Sequence, residues 1–211
     1  MFINHLSTAS IRTLLALALS MTTLVLTGCQ TSASKPPVAD IQPELSQQTL
    51  TQQALQIQQA LANKNYNNII DEIHPTRGVR FSMYAYVRPE KDKRFSREEF
   101  AQYLQQSRIR FTWGELDGTG ELFVKPLPNY LETWVGASKF NEAIISVNKF
   151  KGSGNSINNL NKIYEKSDFV EFYYNGSERY SGMDWQALRL VFDEYQGKRY
   201  LVAIVSDRST V

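Results

Sequence analysis

Two hydrophobic periods occupy separate stretches of this chain, and their order restricts the fold more than any other feature. Leu50, Ala54, Ile57 and Leu61 recur at 4-3-4 spacing among glutamines, which sets one apolar stripe on an amphipathic helix. Ser46 or Thr49 is placed to cap its start, and Asn63 to Asn68 breaks it. Tyr66 to Ile73 reads as a shorter second helix. It ends at His74-Pro75, because the residue before a proline is pushed out of the helical region. Beyond this point the period becomes two. Val79, Phe81, Met83, Ala85 and Val87 point to one side of a strand over 78–88, and Arg80, Ser82, Tyr84, Tyr86 and Arg88 to the other.

Ser96-Arg97-Glu98-Glu99 is a capping box, predicting a helix that buries Phe100, Tyr103 and Leu104. Arg108 to Trp113 alternates again, with Ile109, Phe111 and Trp113 inward, and Asp117-Gly118-Thr119-Gly120 is a turn. Pro126 and Pro128 interrupt any regular element over 121–140, leaving a short helical segment from Asn129 through Tyr130 and Trp134. Strands follow at Glu142–Phe150, Asp168–Tyr174, Leu188–Tyr195 and Tyr200–Val205, the last two joined by Gln196-Gly197-Lys198, with a loop at 152–156. Helices first and strands after predict an α+β fold, N-terminal helices packed on a curved, mostly antiparallel sheet. One domain is expected over 45–211.

Cys29 is the sole cysteine, so no disulfide can form within the chain and the core alone must hold it. It follows a start with one firm positive charge, Arg12, and an apolar run from Leu14 to Leu26, the pattern of a secretory signal. At 1.5 Å per residue that run spans roughly 20 Å, short of the about 30 Å of a bilayer core. Leu26-Thr27-Gly28-Cys29 resembles the lipobox of bacterial lipoproteins. The resemblance implies a signal peptide over 1–28, removed before Cys29, and acylation of that cysteine with chains such as palmitate. It implies a membrane anchor, since each buried methylene adds about 0.8 kcal/mol. Residues 29–44, with Pro36, Pro37 and Pro43, then read as a disordered lipidated tether. In the sorting rule of such lipoproteins, Gln30 in place of Asp implies the outer membrane, facing the periplasm. An acylated Cys29 is also lost as nucleophile and as metal ligand.

Without residues 1–28 the chain has 211 − 28 = 183 residues and, with Arg12 gone, 22 basic groups against 21 acidic. Nothing in that balance draws the chain to nucleic acid. About 165 residues are enough for one core.

The order of helices, long strands with an insertion, and a terminal hairpin is similar to the nuclear transport factor two-like cone fold. A second resemblance lies in the motif order. It runs through His74-Pro75, Gly78-Val79-Arg80-Phe81-Ser82, Trp113-Gly114, Asp117-Gly118-x-Gly120, Gly154-Asn155, and Met183-Asp184-Trp185 before Leu188-Arg189-Leu190-Val191-Phe192. This order, over roughly 66–205, resembles a family of uncharacterised exported bacterial proteins, and it implies no activity. The chain departs from that pattern at its end, which reads Asp207-Arg208-Ser209-Thr210-Val211 instead of an aromatic tail.

His74, the one histidine after residue 28, lies near Asp71 and Glu72. A carboxylate that orients an imidazole is the skeleton of a general base. The bland reading is a helix cap, with His74 at the negative end of the helix dipole. No Gly-x-Ser-x-Gly elbow occurs, and the nearest approach, 152–156, has the wrong spacing. Glu115, Asp117, Thr119 and Glu121 sit at alternate positions like the start of a calcium loop, but position twelve counted from Glu115 is Pro126. A hairpin turn is expected there, and neither metal nor cofactor. From Arg77 to Arg97 seven basic residues stand against two acids. Arg80, Tyr84, Tyr86 and Arg88 therefore form the candidate surface for an anionic ligand or partner. The expectation is a non-catalytic binding or envelope-assembly protein, with an envelope protein or small ligand as partner. The alternatives are a small pocket enzyme with His74 as base and Asp71 as orienter, or an immunity or inhibitor lipoprotein that blocks a toxin or lysozyme.

Overall fold

Helix α1 (Ile41–Ala62) carries the expected stripe, and Leu50, Ala54, Ile57 and Leu61 are all buried. The computed structural model describes residues 41–152, 154 and 157–209, so the expectations at Cys29, at Gln30 and for the signal peptide lie outside the described residues. The helix begins at Ile41, earlier than Ser46 or Thr49 and inside the stretch read as tether. Pro43 falls in its first turn, where a missing N–H removes no helical bond.

The second helix does not form. Tyr66–Ile69 makes one 3₁₀ turn, and the chain is then captured by the sheet. Ile73 bridges to Leu201, the His74 N–H donates to the Leu201 carbonyl at 2.9 Å, and the Leu201 N–H donates to the Glu72 carbonyl at 2.7 Å. These main-chain bonds compete with a helix that three asparagines in 65–68 already disfavour.

The strands are β1 (Val79–Ser82), β2 (Lys93–Phe95), β3 (Phe111–Glu115), β4 (Leu122–Lys125), β5 (Ile144–Val147), β6 (Asp168–Tyr174), β7 (Gln186–Tyr195) and β8 (Lys198–Arg208). Six of them form an open sheet in the order β2-β1-β8-β7-β6-β5, in which every pair is antiparallel except β1 with β8. β3 and β4 make a separate antiparallel ribbon. The fold is α+β with a mostly antiparallel sheet. α2 (Arg97–Gln105) starts at the expected capping box: the Glu99 N–H donates to Ser96 Oγ at 3.2 Å, and the Ser96 N–H to Glu99 Oε2 at 2.9 Å. α3 (Leu127–Tyr130) runs into a wider turn over Leu131–Val135, and α4 (Leu160–Ile163) precedes β6. Gln196 and Gly197 both take positive φ, 52° and 74°, which suits the two-residue turn of the β7–β8 hairpin.

The sheet is covered on both faces. On one, Phe81, Phe172, Leu188, Leu190 and Phe192 pack with the α1 stripe, with Phe100 of α2 and with Trp113 and Tyr130, whose rings stack at 3.7 Å. Each large apolar side chain buried in this way is worth about 1.5–3 kcal/mol. The other face carries Phe169, Val191, Ala203 and Val205, under Leu160 and Tyr164 of the β5–β6 connection. Three charges lie wholly inside this second face. Arg189 donates through Nε to Glu171 Oε2 at 2.7 Å and through Nη2 to Asp207 Oδ2 at 2.8 Å and to the Gly152 carbonyl at 3.0 Å. Glu171 Oε1 in turn accepts the N–H groups of Lys151 and Gly152. A Cβ on Gly152 would sit 2.9 Å from the Trp185 ring and 3.1 Å from Ala187 Cβ, so the connection can lie this close only as glycine.

Candidate functional site

The strand expected over 78–88 stops at Ser82. Ser82 Oγ donates to the Tyr84 carbonyl at 2.9 Å, and the side chain of Asn159 takes the place of a neighbouring strand further on. The Val87 N–H donates to Asn159 Oδ1 at 2.7 Å, and Asn159 Nδ2 donates to the Val87 carbonyl at 2.9 Å. The inward set holds: Met83, Ala85 and Val87 are buried together with Val79 and Phe81. The outward set divides. Ser82 is buried, Tyr84 and Arg88 are partly buried, and Tyr86 is 49% exposed.

Arg80 does not join the proposed surface. Its Nη1 donates to the Pro89 carbonyl at 2.9 Å and the Asp92 carbonyl at 3.4 Å, which staples the 89–92 loop to β1. Tyr84 accepts the Asp117 N–H at its hydroxyl, 2.9 Å away, and turns its ring edge to Trp134 with centroids 5.5 Å apart. Arg88 donates its N–H to Asp92 Oδ2 at 2.8 Å and its Nε to Oδ1 at 3.4 Å. Burial pushes the Asp92 carboxyl above its ordinary pKa, against the pull of the Arg88 N–H, Ser82 and the charges of Arg88 and Arg80.

Tyr84, Tyr86 and Arg88 thus line one cavity of about 580 Å³ with the β3–β4 turn, Glu115 to Gly120. Tyr86 and Arg88 also face a groove of about 680 Å³, whose far wall is Ile157, Asn159, Lys162 and Ile163. Three of the four expected surface residues are brought together and Arg80 is not. The 115–121 stretch is the expected hairpin turn, and among the described residues no group of three or more His, Cys, Asp or Glu side chains is placed to hold a metal.

His74 and Asp71 are not brought together. His74 is buried, its ring 5.2 Å from that of Tyr195 and 5.9 Å from that of Tyr200. Its Nδ1 accepts the N–H groups of Thr76 at 3.3 Å and Arg77 at 3.1 Å. Asp71 is exposed, no hydrogen bond joins it to His74, and its main-chain carbonyl accepts from Arg97 Nη2 at 2.9 Å. Burial, then the charges of Arg77 and Arg97, hold the His74 pKa below its ordinary value. His74 is therefore a neutral acceptor that closes a turn, neither an oriented base nor a cation at a helix end.

Arg208 and Trp134 carry no functional motif in the sequence, yet the fold brings them together. Trp134 Nε1 donates to the Met83 carbonyl at 3.0 Å. The Arg208 guanidinium lies 3.7 Å over the Trp134 ring, and its Nη2 donates to the Trp134 carbonyl at 2.8 Å. The one sequence signal was a basic residue ending a run of alternating β-prone residues.

No protein-family model matches the chain, and no curated protein is significantly similar to it. Among solved structures it is similar to Aln2 from a Streptomyces species, at 12% identity with a TM-score of 0.33, over 79% of this chain and 91% of that one. A likeness this distant assigns no activity.

Proposed function

We propose that this chain is a lipid-anchored bacterial envelope protein that binds a partner without transforming it, working from the outer membrane into the periplasm. The lipobox-like Leu26–Cys29 and Gln30 supply the address. One observation carries the binding reading: the gathering of Tyr84, Tyr86 and Arg88 at a single rim. Tyrosine offers broad contact area at low entropic cost and arginine a rigid fork of donors, the residue types that dominate recognition surfaces. Arg80 and Tyr84 are occupied in holding the loop and the hairpin, so the test belongs at Tyr86 and Arg88. A photo-crosslinking residue at Tyr86 of the full chain in its own cells is expected to yield one discrete protein adduct. The same residue at Gln52, on the exposed side of α1, should yield none. Arg88→Lys, which keeps a charge beside the buried Asp92 and removes the planar fork, should lower the Tyr86 adduct at least tenfold in protein that still unfolds cooperatively. Identical adduct patterns at the two positions would sink the proposal.

A further inference from the structure

We infer that the recess beside Trp134 binds a small organic carboxylate, held by the guanidinium of Arg208. The recess measures about 330 Å³, the size of a site for a compact small molecule, and lies between Trp134 and Arg208 on one side and the β3–β4 turn on the other. Arg208 is half-buried, with its guanidinium drawn over the Trp134 ring. Among the described residues no carboxylate lies within ion-pairing distance of it, and its buried Nε has no hydrogen-bond partner. The adjacent Asp207 gives one oxygen to Arg189 and the other to the Arg208 main-chain N–H, so it does not reach the Arg208 guanidinium. Withdrawing a charged fork from water is costly unless an opposite charge completes it.

Two hydroxyls on the lining are free to donate. Tyr84 accepts the Asp117 N–H at its hydroxyl oxygen, which leaves its own proton free to donate. Thr119 accepts the Glu121 N–H at Oγ1 and likewise keeps its proton. The buried Tyr130 hydroxyl, on which the Arg208 charge acts, also has no partner among the described residues. Leu116, Trp134 and the 70% exposed Met183 supply apolar walls. An acceptor anion on a compact apolar body satisfies both halves of the lining. Asp117 is the one acid on it, and it opposes a second negative charge, so a monoanion is preferred over a dianion.

The recess shares Tyr84 with the partner-binding rim, but its argument rests on Arg208 and Trp134, which do not line that rim, and not on Tyr86 and Arg88. Benzoate is the probe, titrated calorimetrically into the full chain, with benzyl alcohol and benzylamine as neutral and cationic controls and phthalate as the dianion. Benzoate should bind saturably and at least tenfold more tightly than any control. Arg208→Met should weaken it at least tenfold while benzyl alcohol is unaffected. Arg208→Lys, which keeps the charge without the fork, should fall between. Should Arg208→Met fail to fold, the melting temperature of the unaltered protein decides, rising with benzoate and not with benzyl alcohol. The proposal is overturned if benzoate does not saturate the folded protein, if benzyl alcohol matches it, or if a folded Arg208→Met binds benzoate as before.

Discussion

His74 shows how a single side chain changes meaning between the sequence and the fold. The imidazole was placed near two carboxylates in sequence, yet the groups that face it in space are the main-chain N–H groups of Thr76 and Arg77 and the charges of Arg77 and Arg97. Burial first, and then these groups, favour the neutral form in the folded state, while the unfolded chain titrates near 6.5. Between the lowered folded-state pKa and 6.5 the unfolded chain binds more protons, so stability rises with pH. The contribution is complete above about 6.5 and is lost as the pH falls below it. Urea midpoints measured from pH 7.5 to 5 should decline across that window. His74→Asn, which can still accept the two N–H groups, should flatten the decline. His74→Ala, which removes the acceptor, should cost about 1–2 kcal/mol at pH 7.5. The presence of a structural histidine was legible in the dipeptide His74-Pro75; its partners were not, because they depend on the turn that follows.

At the scale of the elements, β6 was legible to the residue, and β7 and β8 were legible as strands that run further than the expected Leu188–Tyr195 and Tyr200–Val205, because long β-prone runs bounded by a glycine turn leave few alternatives. What they carry between them was not. Glu171 and Arg189 stand directly opposite in the β6–β7 register, and Asp207 comes from β8. Charged side chains on strands ordinarily face water, and no local pattern marks these three as buried. They are buried because the β5–β6 connection folds over that face and offers its main chain at Lys151 and Gly152 to the same network. Glu171→Ala should therefore strand the Arg189 charge and two N–H groups, destabilising the fold by roughly 3–5 kcal/mol. Urea denaturation checks the loss, and hydrogen exchange should show the Gly152 amide opening first. The strand expected over 78–88 forms only over Val79–Ser82, for a related reason. Its alternation correctly marked the buried residues, but Ser82 and Asn159 bind the main chain that a strand would have offered to a neighbour.

For the whole molecule the sequence speaks most directly about place. Cys29 stands alone after an apolar run, and its lipobox-like setting predicts that Cys29→Ser abolishes fatty-acyl labelling and moves the chain from the membrane to the soluble fraction on cell fractionation. Labelling and sedimentation unchanged by the substitution would remove the anchor from the proposal. The sequence by itself determined the α+β class, the α1 stripe, the α2 cap and the terminal hairpin, all of which follow from local periods and turn chemistry that act over a few residues. Only the tertiary structure decided that β1 joins β8 in parallel, that Arg80 serves a loop while Tyr86 faces solvent, and that Arg208 lies over Trp134. Those outcomes set residues far apart in the chain against one another. Burial and charge pairing between such residues depend on how the layers close, and no local pattern encodes that.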